Sequence, residues 1–540
     1  MKLFEASQIP GPRAHDGVKA ANGRGWVRKI CALRAGDVQI YLVCERLTEP
    51  LIYLMVLFSP WAFGTSQPWS IWVMNSAGYI LGGMLAVKLA IRRLKGYRPP
   101  RWEEFRVQRS EGGGPSSVIS GRRLLTTPNL TATLAVLTVA ILAYCLISAL
   151  NASATYKPDT LVFAYHAHVK RLPHSFDSNR TWFAFWSYLG LAFSFWAVRD
   201  WLLGKSAAEA RAERQKNGPG GKAEAEFFPA RLRRLFWLLA INGGLLGLEG
   251  IIQRLEGSGK LLFFVRPQIH KTAATQFGPY AYYANASQYF NLLWPGCLGF
   301  WWMLHLSRGS RRYGHHFVLL CAAIMAACPI ISTSRGGALV TVGMAFLAAV
   351  FLTAAHFFFP AHRQENSKTR TITFRLLGLF FIGAMALGFA LGWKALKPRM
   401  ASFGEGYQHR EQDYERARPI ADDYPLFGTG PGSFESVSQL YRVSTEANWF
   451  AQLHNDWLET RITFGWVGSA LIALAFATVV LRWFAREGIQ SGRRFIMLMW
   501  LALGGCLVHA RFDFPFQMHS IVFLFLVLCA ILLNLSRRPA

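Results

Sequence analysis

Apolar residues along this chain gather in long runs instead of alternating with polar ones. A helix needs about 20 apolar residues to cross the hydrocarbon core of a bilayer. Runs of that order recur along most of the sequence. Run length and flanking charge predict about twelve spans. They cover 51–64, 70–91, 130–150, 181–203, 235–252 and 285–306, then 316–331, 336–359, 374–393, 462–484, 495–510 and 518–535. The first is short and carries Pro60. The predicted fold class is all-α, a polytopic membrane protein with a large, partly helical loop on one face. No internal repeat is visible.

Composition agrees with this. The chain has 540 residues, 52% hydrophobic and only 16% charged, with 41 Phe and 19 Trp. Domain counting by soluble-chain length does not apply. A net charge of +28 would suggest nucleic acid in a soluble protein. Here the Lys and Arg fall in alternate loops, at 92–123, 204–234, 307–312, 362–375 and 482–494. That is the positive-inside pattern, so membrane lipids are expected partners and nucleic acid is not. These loops are then cytoplasmic, as is the basic tail 1–48, which is broken by Gly and Pro and contains no signal peptide. Residues 205–222 read as a flexible linker or exposed helix. An even number of spans returns Ala540 to the cytoplasm, with Arg537 and Arg538 beside it. Of 8 Cys, Cys145, Cys297, Cys321, Cys328, Cys506 and Cys529 lie in apolar runs. No CxxC or zinc spacing is present, so neither a disulfide framework nor a metal centre is indicated.

The remaining loops face outward: 151–180, 253–284 and 395–453. The last has nearly balanced charge, with Arg399, Arg410, Arg416, Arg418 and Arg442 against Glu405, Asp413, Asp422 and Asp423. A loop of this length has a function or structure of its own.

Three short pieces on that face carry candidate chemistry. In Ser332-Thr333-Ser334-Arg335-Gly336-Gly337, Ser334 can cap a helix that begins at Arg335. A helix start offers free N–H groups and a positive dipole end. Gly336 and Gly337 let a ligand approach the backbone closely, and the guanidinium completes an anion site suited to phosphate. The same piece also reads as a capped turn with a snorkelling Arg. Upstream of the second piece, Arg410, Tyr414 and Arg418 share a helix face at i, i+4 and i+8. That face could offer a second Arg to a diphosphate, or could simply be solvated. The second piece, 425–434, contains Gly428, Gly430 and Gly432. No Lys follows it, so it is not a Walker loop. It reads as a turn back to the membrane, or as a floor near substrate.

The third piece is His454-Asn455-Asp456-Trp457-Leu458-Glu459. Asn455 is a fair N-cap, and Asp456 suits the first turn. An imidazole at an aqueous edge can act as general base, or it can bond to loop backbone as a helix-start residue. Weaker candidates are a metal site at His166, His168 and His174 and a carboxylate pair at Asp422 and Asp423. Asp513, in Phe-Asp-Phe-Pro, is a candidate buried partner for an arginine.

The order of these pieces resembles the bacterial O-antigen ligase and polymerase-related family, multi-span glycosyltransferases of the C type. The resemblance is carried by STSRGG at 332–337, Arg410, PLFGTGPGSF at 425–434, HNDWLETRITFGWVG at 454–468 and DFP at 513–515. FGPYAYYANASQYFNLLWP at 277–295 looks like the family's outer loop leading into a span. The match covers roughly 277–515. Two departures stand out. Tyr414 occupies a position where relatives often carry Trp, and Ala284 stands where they usually have Asn, with Asn285 beside it.

The resemblance implies a division into a cytoplasmic tail at 1–48, spans at 49–276 with the linker 204–234, a catalytic region at 277–515 containing periplasmic loop 395–453, and a last helix and tail at 516–540. It further implies transfer of a glycan from undecaprenyl diphosphate to an acceptor hydroxyl at the periplasmic face of the inner membrane. The acceptor is lipid A–core in ligases and another carrier-linked glycan in polymerases. Arg335, Arg410 and His454 are the expected catalytic residues. Ser334, Gly336, Tyr414, Arg418, Gly430, Asn455 and Asp513 are the expected substrate-binding residues. No cofactor or metal is implied, since two arginines supply the charge a divalent ion would bring. A lipid-linked saccharide transporter is the alternative. It should show repeats and charges at midplane depth, whereas these charges cluster at one surface.

Overall fold

The structure is a computed structural model. It describes residues 33–102, 127–206, 208–211, 228–306, 313–358, 367–442, 451–484 and 493–535. Most of the predicted tail, most of linker 204–234, much of the other basic loops and the Ala540 terminus lie outside the described residues.

One helix stands over each predicted run. In chain order these are α1 (Ala35–Trp61), α2 (Pro68–Leu94), α3 (Thr127–Leu150), α4 (Ser178–Leu203), α5 (Ala230–Glu256), α6 (Tyr283–Leu306), α7 (His316–Ile331), α8 (Arg335–Phe358) and α9 (Ser367–Ala401). An outer helix, α10 (Phe403–Asp423), precedes α11 (Asp456–Phe484), α12 (Arg493–His509) and α13 (His519–Leu535). Seven of them, α2, α3, α4, α5, α8, α9 and α11, are long and apolar enough to cross a membrane, and α7, α12 and α13 are shorter apolar helices. The chain is an all-α polytopic membrane protein. Among the described residues, sheet is confined to one hairpin, β1 (Ala154–Lys157) with β2 (Val162–Tyr165), in which Ala154 faces Tyr165.

α6 sits at the centre of the bundle, against α5, α7, α8, α12 and α13. Residues 284–302 are buried throughout. Because this helix is shielded from lipid, it tolerates Asn285, Gln288 and Asn291, which lower its hydropathy. α1 begins well before the predicted start at residue 51. The reason is charge pairing at its first half: Glu45 meets Lys88 at 3.0 Å, Lys88 meets Asp200 at 3.0 Å, and Glu49 meets Arg234 at 2.8 Å. Lys88 is almost fully buried, a position a cation holds only when paired.

α9 runs past its predicted end at 393 and stops at Ala401, where Ser402 turns the chain into α10. α10 is amphipathic. Its buried residues Tyr414, Ala417, Ile420 and Ala421 pack on Phe434, Val437, Leu453 and Ile462. This small outer core fixes the loop over the start of α11.

Candidate functional site

The site grows from the turn between α7 and α8. Ser334 Oγ accepts the Gly337 N–H at 3.1 Å, and the Ser334 carbonyl accepts the Ala338 N–H at 2.8 Å. Ser334 is therefore the cap, and α8 begins at Arg335 with its N-terminal dipole end facing the site. Gly337 is required by packing: a Cβ there would stand 1.6 Å from Ser287 Oγ on α6. Thr333 takes a left-handed backbone with φ 65°, which a β-branched residue adopts only when held. Two arginines hold it. Arg254 donates to Thr333 Oγ1 at 2.9 Å and to the Ser332 carbonyl at 2.7 Å. Arg399 donates to the Thr333 carbonyl at 3.0 Å.

Arg335 reaches across to the start of α10, where its guanidinium donates to the Ser402 carbonyl at 3.0 Å. It passes directly over Gly406, where a Cβ would stand 2.4 Å from Nη1. Arg410, one turn further along α10, donates to the Phe512 carbonyl. The loop after α12 thus meets α10 through that arginine.

His454 and Asp513 form the other half. His454 Nδ1 lies 3.0 Å from Asp513 Oδ1, with the imidazole 28% exposed and the carboxylate 4% exposed. A carboxylate accepts, so Nδ1 carries the proton and the lone pair of a neutral ring falls on Nε2. The backbone around the pair is pinned. His454 has φ 57°, and its carbonyl accepts the Tyr414 hydroxyl at 2.8 Å. The Asp456 N–H donates to the Ala510 carbonyl at 2.9 Å, and the Asp456 carboxylate accepts the Phe516 N–H at 2.7 Å. Asn455 Oδ1 accepts the Leu458 N–H at 3.2 Å, the expected cap.

The electrostatics are mutual. Burial pushes Asp513 up, but its bond to His454 and the charges of His454, Arg410 and His509 outweigh it and hold the carboxyl below its ordinary value. Burial opposes the charge of Arg410, yet Asp513 and the nearby tyrosines, Tyr282 first among them, hold it above the ordinary arginine value. Tyr282 is raised well above the usual phenol range, chiefly by burial, so it stays neutral. Its ring stacks on Phe514 at 5.6 Å and meets His454 edge-on at 6.0 Å.

Arg335 and Arg410 share one cavity of about 560 Å³, lined also by Ser334, Gly336 and Asp513. From these polar groups it continues between α8 and α12 over Leu339, Met344, Leu347, Trp500, Leu501 and Val508. Leu339, Leu347 and Val508 are exposed on this wall, so the channel is apolar and open along the bundle's side. His454 is not on the wall. It stands behind Asp513 and Tyr282, which are on it, and its ring is partly exposed.

Other expected residues lie apart. Arg418 points away and pairs with Glu411 at 2.9 Å. Tyr414 is buried beneath His454, with Arg511 over its ring at 5.3 Å. Gly430 packs the glycine loop against Ser175, where a Cβ would stand 2.4 Å from Oγ, and its N–H donates to the Thr463 carbonyl at 3.0 Å. The loop therefore knits the outer segments to α11 and does not line the cavity. His168 and His174 have ring centres 5.2 Å apart, while His166 bonds Thr155 at 2.9 Å. Asp422 faces Arg461 at 3.3 Å, and Asp423 accepts the Tyr441 hydroxyl at 2.6 Å, so the two carboxylates have separate partners. Asp513 was expected beside an arginine, and its direct bond is to the histidine. Sequence reasoning also passed over Arg254, Arg399 and the apolar channel. A left-handed Thr in the short turn between two apolar helices leaves no pattern in the chain.

A comparison with curated proteins gives no match. Residues 320–473, which hold Arg335, Arg410 and His454, match the family model described as O-antigen ligase, the family that the motifs resemble.

Proposed function

We propose that the chain is an O-antigen ligase-type glycosyltransferase that moves a glycan from undecaprenyl diphosphate to an acceptor hydroxyl. In this proposal the reaction takes place at the periplasmic face of a bacterial inner membrane. The observation that carries this reading is the two-sided site. Two arginines and a helix start open into an apolar channel, while a carboxylate-backed, partly exposed imidazole stands beside it.

The parts have distinct tasks. The channel between α8 and α12 suits a polyprenyl chain, because its walls are apolar and it is open to lipid along its length. The diphosphate then lies at Arg335, Arg410 and the N–H groups at the start of α8, where anions are favoured. His454 Nε2 takes the proton from the acceptor hydroxyl as the acceptor oxygen bonds to the anomeric carbon. The bond from that carbon to the phosphate oxygen breaks, and the electron pair leaves with the diphosphate. Arg335 and Arg410 stabilise the charge that develops there. A single in-line displacement inverts the anomeric centre. The positive charge that offsets the anionic leaving group comes from the chain's own side chains, so the reaction as written has no metal step.

Reconstitution with a labelled carrier-linked glycan tests this. Wild-type protein transfers label to acceptor, and Arg335→Ala, Arg410→Ala and His454→Ala abolish transfer while still inserting in the membrane, with donor binding retained in His454→Ala. Full transfer by Arg335→Ala and His454→Ala together would sink the reading. Offering lipid A–core and a second carrier-linked glycan as rival acceptors assigns ligase or polymerase activity.

A further inference from the structure

A second polar cluster lies at the opposite end of the bundle. His305 near the end of α6 and His315 and His316 at the start of α7 each bring one ring nitrogen to within 4.8 Å of the others. His305 Nδ1 and His315 Nε2 are 3.0 Å apart. The rings of His315 and His316 lie side by side at 4.0 Å. The far nitrogen of His305, Nε2, is 3.0 Å from Thr373 Oγ1 on α9, and the Trp301 ring stacks on the imidazole at 5.2 Å.

This arrangement has the chemistry of a ligand set. An imidazole whose far N–H is bound to an oxygen presents its near nitrogen as a lone pair, and metal-binding histidines nearly always carry such a support. Thr373 Oγ1 is placed to give His305 this support, and with it His305 Nδ1 faces His315 as a donor of electrons. Three imidazoles without carboxylate suit zinc, nickel or copper, whereas magnesium and calcium want oxygen. Zinc–nitrogen bonds of about 2.0–2.1 Å at tetrahedral angles separate two nitrogens by roughly 3.4 Å. The observed spacing reaches this with small ring rotations. The Trp301 N–H contact to His316 Nδ1 is long, at 3.4 Å, and gives way when that ring turns onto an ion.

We propose that His305, His315 and His316 bind one transition-metal dication, zinc being the best fit, as a clip between helices. The position gives the clip a use. α6 starts at Tyr283 and α7 ends just before Ser334, both on the cavity wall, while α9 ends in Arg399, which holds Thr333. All three helices carry parts of the site at one end and meet the histidine cluster at the other. An ion there fixes their relative register, independently of the reaction proposed above.

The test uses the full chain without an affinity tag, stripped with chelator in detergent and titrated with cobalt(II), then competed with zinc. The expected result is one saturable cobalt per chain with the visible absorption of imidazole ligation, displaced by zinc. His305→Asn and His316→Asn each weaken binding at least tenfold, and His409→Asn, at an exposed position on α10, leaves it unchanged. Wild-type protein that shows no one-to-one binding overturns the proposal, and that titration stands even where a variant does not fold. Unchanged affinity in the His305→Asn/His316→Asn double variant also overturns it, leaving a histidine cluster held by hydrogen bonds alone.

Discussion

His454 and Asp513 are 59 residues apart in sequence and 3.0 Å apart at their side chains. The Asp456 N–H, close to His454 in the chain, bonds the Ala510 carbonyl at 2.9 Å and the Asp513 carbonyl at 3.3 Å and keeps them so. The carboxylate fixes which ring nitrogen carries the proton and turns Nε2 outward. Asp513→Asn keeps the shape but can offer an N–H to the ring, which favours the wrong tautomer. The expected outcome is a fall in kcat on the order of 10²- to 10⁴-fold, the usual contribution of a positioned base, with little change in donor KM. Steady-state transfer kinetics measure both. A loss confined to KM would count against the orienting role.

The same pair makes a prediction about pH. Asp513 is held below its ordinary carboxyl value in the folded protein. A depressed folded pKa contributes stability that is fully present above the unfolded value, about 3.9, and is lost as pH falls through the folded one. The difference in thermal midpoint between wild type and Asp513→Asn should therefore be flat from about pH 8 to pH 5. It should close only below about pH 4. Thermal unfolding in detergent across that range checks it. A gap that shrinks steadily between pH 7 and pH 5 would mean that Asp513 titrates in the working range.

Gly406 is the point where α10 lets Arg335 through. A Cβ there would stand 2.4 Å from the guanidinium, so a side chain forces the arginine out of its path to the cavity. Gly406→Leu is expected to lower transfer by on the order of 10²-fold, comparable to losing one stabilising group at a developing charge. Gly404→Leu, two residues earlier, meets nothing within 4 Å and should be close to wild type. Equal loss in both variants would show that α10 itself, not the arginine's path, had been damaged.

The sequence was most legible where a local rule operates. Apolar run length located every long helix of the bundle, because lipid permits little else. Ser334 and Asn455 were legible as caps, because a cap is decided by its own neighbours. Arg418 shows where such reasoning fails. Eight residues on from Arg410, a helix has turned about 80° past two full turns, enough to send Arg418 to solvent and to Glu411. The His454–Asp513 bond was not legible, since nothing local ties residues separated by a whole helical hairpin. The start of α1 was not legible, because the cationic partners of Glu45 and Glu49 sit on α2 and α5, far away in sequence.

The apolar channel was hidden for a different reason: an apolar channel wall has the same composition as a helix face against bulk lipid. Only the packing of α8 against α12 separates them, and glycines mark it. Gly505 is closed off by Met344, whose Sδ would stand 2.3 Å from a Cβ there, but Gly343 and Gly504 open onto free space. All three line the cavity. Gly504→Leu and Gly343→Leu should therefore fold, since no atom lies where the new side chain begins, yet fill the space assigned by the proposal to the donor's lipid chain. The expected outcome is a rise in KM for long-chain polyprenyl donors of at least tenfold, with a smaller rise for a donor carrying a short soluble chain. The diphosphate and imidazole ends are untouched in these variants, so kcat at saturating donor should change little. Transfer kinetics with a long and a short donor measure the split, and an equal effect on both would place the lipid chain elsewhere.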